Sequence, residues 1–202
     1  RKPLEHLKAT IAHGARRVDA AKLTSQLWPD AEGDDAKASF DSTLYRLRKL
    51  CGVEGAIVLA EGKLSLDPAS VWIDAVALDA LLDEAPAPVD RALVLARGDF
   101  LADEGSLPWA ARERDRLKAR LMRAVVAAAG DHEARGDFGA ARALYEAALE
   151  RDNLAEAVYR RLMVCQRELG DAAGALVTYR RCRELLSIVL GRAPGAETEA
   201  VR

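Results

Sequence analysis

The chain has 202 residues, 50% of them apolar and 5% aromatic, and a formal net charge of −2. This length allows one or two domains with a hydrophobic core, and the abundance of Ala and Leu favours helix over sheet. The balanced charge excludes a chain-wide attraction to nucleic acid or to a membrane surface. Residues 1–74 carry 11 basic and 11 acidic side chains, so DNA binding would require a local cluster of cations.

Cysteine and histidine residues give no sign of a metal or catalytic site. Cys51, Cys165 and Cys182 form an odd set without CxxC spacing, and each lies among apolar neighbours in a helical pattern. We expect them to be small core residues of a reduced, cytoplasmic protein. The histidines are scattered, and no nucleophile elbow, phosphate loop or dinucleotide fingerprint is present. We therefore predict no enzymatic activity, no metal and no cofactor.

The hydropathy of the chain predicts no membrane contact. No stretch approaches the roughly 18 continuous apolar residues that a membrane span requires, and no signal peptide opens the chain. The first residue is Arg1 rather than Met, from which we expect a fragment of a longer protein.

Two helices are predicted in the first 30 residues. Leu4, Leu7 and Ile11 follow the spacing of a first helix. Asp19 is the expected N-cap of a second helix, which Pro29 stops.

A third helix is predicted from Asp34 or Asp35, either of which can cap it, to Cys51, where Gly52 ends it. Its apolar residues share one side: Phe40, Leu44, Leu47 and Cys51. The opposite side carries hydrogen-bond donors, two of them cationic: Ser42, Tyr45, Arg46 and Lys49. Thr43 lies between the two faces.

A β-hairpin is predicted after the third helix. In "AIVLAEGKLSLDP", two short apolar runs flank Glu61-Gly62, which is typical of a tight turn. Three helices followed by a hairpin is the order of a winged helix. In that arrangement the third helix enters the major groove of DNA and the hairpin flanks it.

From Asp74 onward the pattern is helical throughout. Asp74 is the expected N-cap of one helix, which "APAPVD" at residues 85–90 ends. A second helix follows, and "GDFLADEGSLP" is a loop. A long helix then starts near Pro108, with a weak point at Gly130-Asp131.

An internal repeat with an offset of 34 residues occupies the last third of the chain. "GDFGAARALYEAAL" begins at Gly136 and "GDAAGALVTYRRCR" at Gly170. Small residues where paired helices cross, with an aromatic residue four positions on, are typical of tetratricopeptide repeats, which stack into a solenoid. The residues expected to pack these repeats are Ala141, Tyr145, Ala148, Ala175, Tyr179 and Cys182. The predicted fold is mainly α, with a winged helix-turn-helix over residues 1–74 and an all-α, tetratricopeptide-like solenoid over residues 75–202.

Six segments in this order resemble the SARP-like regulators: "KPLEHLKATIAHG", "LTSQLWPDAEGDDAKASFDSTLYRLRKLCG", "GKLSLDPASVWIDAVALDALL", "RGDFLADE", "WAARERDRLKARLMRA" and "AEAVYRRLMVCQRELGDAAGALVTYRRCRELL". The resemblance covers nearly the whole chain. It implies an OmpR/PhoB-type winged helix followed by a bacterial transcriptional activator domain. The chain is also similar to the C-terminal output part of large NTPase regulators. The small β-sheet that usually opens the family's winged helix is missing before the first helix.

The resemblance implies promoter binding and transcription activation, with residues 35–51 as the recognition helix. Arg46 is then expected to pair with a guanine edge, Ser42 and Tyr45 to reach bases or phosphates, and Lys49 to meet a phosphate. Further contacts to double-stranded DNA are expected from cations around this helix: Lys37, Arg48, Arg16, Arg17 and Lys63.

Asp41 on the same helix is unfavourable for DNA binding, because phosphate repels a carboxylate. It can accept from a cytosine amino group, pair with Lys37, or indicate a helix that does not bind DNA. For the helical domain, the family implies dimerisation, sensing of a larger parent regulator, or contact with RNA polymerase. The alternative function is a protein-interaction module with a degenerate winged helix. A third is a small-molecule effector site in the groove of the helical domain.

Overall fold

The computed structural model describes residues 2–104 and 107–201, and the chain forms two compact units. These are unit 1, Arg1–Asp83 with Arg91–Leu117, and unit 2, Glu84–Asp90 with Lys118–Arg202. The described residues are mainly helical with one small sheet, in agreement with the predicted fold class. Both compact units consist of two separate stretches of the chain, so they do not test a single domain boundary. The boundary after residue 74 therefore stays a prediction.

Unit 1 begins with three helices: α1 (Lys2–Ala12), α2 (Ala20–Leu27) and α3 (Gly33–Cys51). The prediction that Asp19 caps α2 is confirmed. Its Oδ1 accepts hydrogen bonds from the backbone N–H groups of Ala21 at 2.8 Å and Lys22 at 3.1 Å. The cap satisfies donors that no carbonyl within the helix can reach.

The start of α3 differs from its prediction. Its N-cap is Glu32, which makes no side-chain capping bond, so the prediction that Asp34 or Asp35 caps the helix is wrong. Both aspartates lie within the first turn, where their charge interacts favourably with the positive end of the helix dipole. Gly52 ends the helix in the left-handed conformation, at φ 68°, and donates its N–H to the Arg48 carbonyl.

Three short strands form one antiparallel sheet in the order β1-β3-β2: β1 (Val18–Asp19), β2 (Ile57–Ala60) and β3 (Lys63–Leu66). The predicted hairpin is β2 and β3. Its turn residues Glu61 and Gly62 have positive φ values of 51° and 71°, a geometry that matches the twist of the paired strands. The sequence did not predict β1, because two residues are too few to show an alternating pattern.

Three further helices follow: α4 (Asp74–Asp83), α5 (Val89–Leu95) and α6 (Pro108–Ala134). α4 is the helix predicted to follow an N-cap at Asp74, but Asp74 is its first residue rather than the residue before it. The Asp74 carboxylate accepts from the adjacent Ala75 N–H at 2.7 Å. The predicted loop before Pro108 is present, although residues 105–106 lie outside the described residues. α6 continues through the predicted weak point at Gly130-Asp131, because an isolated glycine costs a helix only about 1 kcal/mol.

The core of unit 1 combines helix faces with the inner face of the sheet. Its buried members include Ala9, Leu23, Leu27, Phe40, Leu44, Leu47, Ile57, Leu64, Trp109 and Ala110. The α1 pattern is only partly as predicted, since Leu4 is 55% exposed whereas His6 and Thr10 are buried. Trp109 and Ala110 lie at the start of α6, so this part of α6 belongs to the core of unit 1.

Unit 2 contains the helical repeats, with α7 (Phe138–Arg151), α8 (Glu156–Glu168), α9 (Ala172–Leu190) and α10 (Ala196–Val201) following α6. Asp137 and Asp171, 34 residues apart, cap α7 and α9 in the same way. Each carboxylate accepts from a backbone N–H three residues later, at 3.2 Å and 2.8 Å. The internal repeat seen in the sequence is thus also a repeat of local structure.

All six residues predicted to pack the repeats are buried: Ala141, Tyr145, Ala148, Ala175, Tyr179 and Cys182. α8 packs against both α7 and α9. Small side chains at the crossings allow the helices to approach closely, and the tyrosine rings fill the remaining space. These residues are thus part of the core of unit 2.

α10 packs against α8, and the carboxylate of Glu156 holds the segment that leads to it. Glu156 Oε1 accepts from the Gly195 N–H at 2.6 Å and from Thr198 Oγ1 at 2.8 Å, and Oε2 accepts from Arg192 Nη1 at 2.8 Å. Burial alone would raise the pKa of Glu156. The three hydrogen bonds favour the charged form more strongly, so its pKa lies below the ordinary value.

We expect Glu156→Ala to release α10, because a six-residue helix is not stable without tertiary contacts. Amide hydrogen exchange of residues 195–201 should accelerate by roughly tenfold, the effect of losing charged hydrogen bonds. Thr198→Ala removes one of the three bonds and should cause a smaller acceleration. Unchanged exchange in Glu156→Ala would show that this carboxylate does not hold the segment.

Candidate nucleic-acid interface

The side chains predicted to contact DNA lie on one exposed face of α3. Ser42, Tyr45, Arg46 and Lys49 are all exposed, Tyr45 with 68% of its surface. Their spacing of three and four residues puts them on the same side of the helix. The face therefore presents a hydroxyl, a phenol, a guanidinium and an ammonium group together.

The opposite side of α3 fixes the direction of this face. Phe40, Leu44 and Leu47 are each at most 4% exposed in the core of unit 1. Thr43, which the sequence put between the two faces, is buried as well. Rotation of α3 would expose this apolar stripe to water at about 25 cal/mol per Å², so the polar face is held in one orientation.

Two of the other cations predicted to contact DNA make contacts within the protein. Arg48 Nε donates to the Ile57 carbonyl at 3.0 Å and joins α3 to the first residue of β2. Arg17 lies beside the hairpin turn. Its Nη2 is 4.0 Å from Glu61 Oε2, and its backbone N–H donates to Ser65 Oγ at 2.9 Å. An exposed pair such as Arg17–Glu61 contributes at most about 1 kcal/mol, so a phosphate can replace it readily.

The remaining predicted cations differ in exposure. Arg16 and Lys37 are exposed, and Lys63 is half-buried at the first position of β3. Within residues 2–104 and 107–201, neither Arg46 nor Lys49 makes an ion pair. Their charges are therefore available to an anion, whereas Arg48 donates to the Ile57 carbonyl.

Asp41 is exposed on α3 and lines a groove together with Lys37. The two side chains form no ion pair in the described part of the chain, so the predicted pairing between them is not observed. The groove has a volume of about 460 Å³ and lies among α2, the first half of α3 and the hairpin. Trp28, Phe40 and Leu59 are the large apolar side chains of its lining.

Apolar side chains near this face are exposed, which the sequence analysis did not predict. Leu50 on α3 is 75% exposed, and Val58 and Leu59 on β2 are 44% and 36% exposed. β2 is an edge strand in which only Ile57 is buried. The sequence of β2 contained one indication of this exposure. Its four successive apolar residues cannot all face the core, because side chains alternate between the two faces of a strand.

His6 is a buried histidine for which the sequence suggested no role. The centroid of its ring lies 4.8 Å from that of Phe40 and 6.1 Å from that of Trp28. Neither ring nitrogen has a hydrogen-bond partner among the described residues. Burial lowers the pKa of His6 to about 4, so the ring is neutral at pH 7. His6 is therefore a core residue behind the groove, because the two rings that it contacts, Trp28 and Phe40, both line that groove.

The described residues thus combine three helices and an antiparallel hairpin in unit 1 with a series of packed helices in unit 2. The profile of the bacterial transcriptional activator domain family matches residues 74–202. This match spans more than half of the chain, and the chain belongs to that family.

The fold is also similar to that of a solved structure, Mycobacterium tuberculosis EmbR in complex with a low affinity phosphopeptide. The TM-score is 0.67 and the sequence identity is 23%, over 99% of this chain and 57% of the EmbR chain. The present chain thus spans little more than half the length of EmbR. No curated protein matches this chain in sequence. Among the described residues, no helix is long and apolar enough to cross a membrane.

Proposed function

We propose that this chain binds double-stranded DNA through α3 and acts as a transcription activator. The observation that carries the proposal is the exposed face formed by Ser42, Tyr45, Arg46 and Lys49, opposite a buried stripe that fixes its direction. The family of residues 74–202 supports a role in transcription.

The B-DNA major groove is wide enough for an α-helix, and its base edges differ in hydrogen-bond pattern. Arg46 can pair with O6 and N7 of guanine, while Ser42 and Tyr45 reach bases or phosphates. Lys49, one turn nearer the C terminus than Tyr45, would neutralise a backbone phosphate. Arg17 and Lys63, beside the turn and on β3, would contact phosphates at the flank.

Unit 2 is proposed to act on other proteins, as a homodimer contact, as a receiver of signals from a larger parent regulator, or as a contact for RNA polymerase. We propose no enzymatic activity and a cytoplasmic location. Burial raises the pKa of both Cys165 and Cys182 to about 11, so neither thiol is a nucleophile at neutral pH.

The alternative function is a protein-interaction module in which α3 does not bind DNA. Two observations favour it: Asp41 is exposed without an ion pair on the same helix, and Tyr45 and Leu50 are large apolar side chains in solvent. If this alternative holds, Asp41→Asn should not change DNA affinity. If α3 lies against DNA with Asp41 near phosphate, that substitution should strengthen binding severalfold.

The proposal is tested by titrating labelled duplex DNA of mixed sequence with the chain and following fluorescence anisotropy. Arg46→Ala with Lys49→Ala should weaken binding by at least about tenfold, the effect of losing one base contact and one phosphate contact. Arg97→Ala with Arg112→Ala removes two exposed cations of unit 1 outside α3 and the hairpin, and should change affinity by less than about twofold.

Circular dichroism must first show that each variant keeps its helices. Equal losses in the two double variants would assign the binding to general charge rather than to α3. Absence of binding at low salt by the folded chain would favour the protein-interaction alternative.

A further inference from the structure

The side of α9 that faces away from the repeat core combines apolar and cationic side chains. We call this the α9 outer face, and it consists of Leu176, Val177, Arg180, Arg181, Arg183 and Ile188. The opposite side of the helix is buried, with Ala175, Cys182 and Leu186 each at most 6% exposed. The outer face is therefore a surface that the packing of unit 2 leaves open.

The apolar side chains of this face remain largely exposed to solvent in the packed unit. Val177 is 62% exposed and Ile188 is 74% exposed, with Leu176 at 44%. Val177 and Ile188 are eleven residues apart, which is close to three turns, so they lie on one side of α9 about 16 Å apart. This spacing suits two anchor residues on a partner helix that lies along α9.

The three arginines of the face make no ion pair among the described residues. Four other arginines of unit 2 do make ion pairs: Arg142 with Glu146, Arg160 with Glu197, Arg161 with Glu133 and Arg192 with Glu156. Arg183 lies over the Tyr179 ring, 6.0 Å from its centroid, which directs that guanidinium along the helix. Three cations without an ion pair among the described residues thus lie on the same helix as the exposed apolar side chains.

We propose that the α9 outer face binds an acidic amphipathic helix of a partner protein. Apolar residues of that helix would pack on Val177 and Ile188, and its carboxylates would pair with Arg180, Arg181 and Arg183. Charge complementarity selects the acidic partner, and removal of the two exposed aliphatic side chains from water supplies affinity. The proposal does not depend on DNA binding by α3.

The mixed character of the face favours a peptide over nucleic acid. A phosphate backbone offers no apolar surface to cover Val177 and Ile188. Glu184 is exposed on the same side of α9, one turn from Arg180 and Arg181, and would repel a phosphate. An amphipathic helix can place a polar or basic side chain opposite Glu184 without losing its other contacts.

The test uses a labelled, end-blocked 18-residue peptide designed as an amphipathic helix, with Leu on one side and Glu on the other, and with one Gln among the Glu residues to avoid repulsion by Glu184. A matched peptide carries Lys in place of Glu, and labelled duplex DNA is the third ligand. Three forms of the chain are compared with the wild type. The charge variant is Arg180→Gln, Arg181→Gln and Arg183→Gln; the apolar variant is Val177→Ser and Ile188→Ser; the control is Lys118→Gln, Arg123→Gln and Arg135→Gln.

The wild-type chain should bind the Glu peptide at least about tenfold more tightly than the Lys peptide. The charge variant should lose about tenfold in affinity for the Glu peptide, whereas the control, which removes as many charges outside α9, should lose less than about twofold. The apolar variant should lose about fivefold for the peptide and keep the wild-type affinity for DNA.

Failure of the Glu peptide to bind, or equal losses in the charge variant and the control, would overturn the proposal. A charge variant that loses DNA affinity but binds the peptide as the wild type does would identify the face as a nucleic-acid surface instead.

Discussion

Replacing Tyr145 with alanine is expected to lower the free energy of unfolding of unit 2 by about 3–5 kcal/mol, the range for removing a buried aromatic side chain. Tyr145 lies on α7 and is 1% exposed. The substitution leaves a cavity between packed helices, which the surrounding side chains can only partly fill.

The hydroxyl of Tyr145 adds a polar contribution to this effect. It donates to Glu133 Oε2 at 2.9 Å and accepts from Arg161 Nε at 3.3 Å, while Arg161 Nη2 lies 2.8 Å from the same carboxylate oxygen. The Glu133 side chain is 11% exposed, so alanine leaves a poorly solvated carboxylate short of one hydrogen bond. Burial, the largest influence, raises the pKa of Tyr145, which keeps the hydroxyl protonated.

Two tyrosine-to-phenylalanine variants separate cavity formation from the loss of this hydrogen bond. Tyr145→Phe keeps the ring and should cost about 1 kcal/mol. Tyr159→Phe should be neutral or slightly stabilising, because the Tyr159 hydroxyl is buried without a partner among the described residues. Urea denaturation followed by circular dichroism measures all three changes. A loss below about 1 kcal/mol for Tyr145→Ala would contradict the packing described for the repeats.

The second large effect is a loss of stability as the pH falls from 6.5 towards 4. Burial lowers the pKa of His6 to about 4 in the folded state, against an ordinary value of 6.5 in the unfolded chain. Between these values the unfolded chain binds a proton that the folded chain does not. His6 therefore contributes stability above pH 6.5, and that contribution falls away as the pH approaches 4, by about 3 kcal/mol in total.

His6→Leu removes this titration and should flatten the pH dependence of the free energy of unfolding of unit 1. The substitution also removes two ring nitrogens that have no partner in the described structure, so it should not destabilise unit 1 at pH 7 by more than about 1 kcal/mol. Denaturant titrations at pH 7, 6 and 5 measure the difference, with His13→Gln as the control at the end of the same helix. Parallel pH profiles for wild type and His6→Leu would show that the ring is protonated without loss of stability.

The sequence predicted the elements that repeat or alternate regularly. The buried stripe of α3, with Phe40 and Leu44, appears in the pattern of apolar residues because its spacing matches the helical period. The Asp19 cap and the turn at Glu61-Gly62 were also predictable, since each depends on residues adjacent in the chain. The same pattern predicted the exposed face of α3, because residues on the side opposite the buried stripe must face solvent.

Other features depend on contacts between distant segments, which one sequence does not display. The apolar pattern of α1 suggested that Leu4 faces inward, but the helix buries His6 between two aromatic rings instead. Glu156 and Thr198 are 42 residues apart and meet through the packing of α10 on α8. The unpaired arginines of the α9 outer face could likewise be recognised only after the ion pairs of the other arginines were known.

We propose that the exposed face of α3 is the surface that contacts DNA. It is tested most directly by the salt dependence of duplex binding for the wild-type chain and for Arg46→Ala with Lys49→Ala. Each phosphate contact contributes a slope of about −0.9 to a plot of log affinity against log salt concentration. We predict a negative slope for the wild type, and a slope shallower by about one or two contacts for the variant. Identical slopes for the two folded proteins would contradict the claim and assign any DNA binding to another surface.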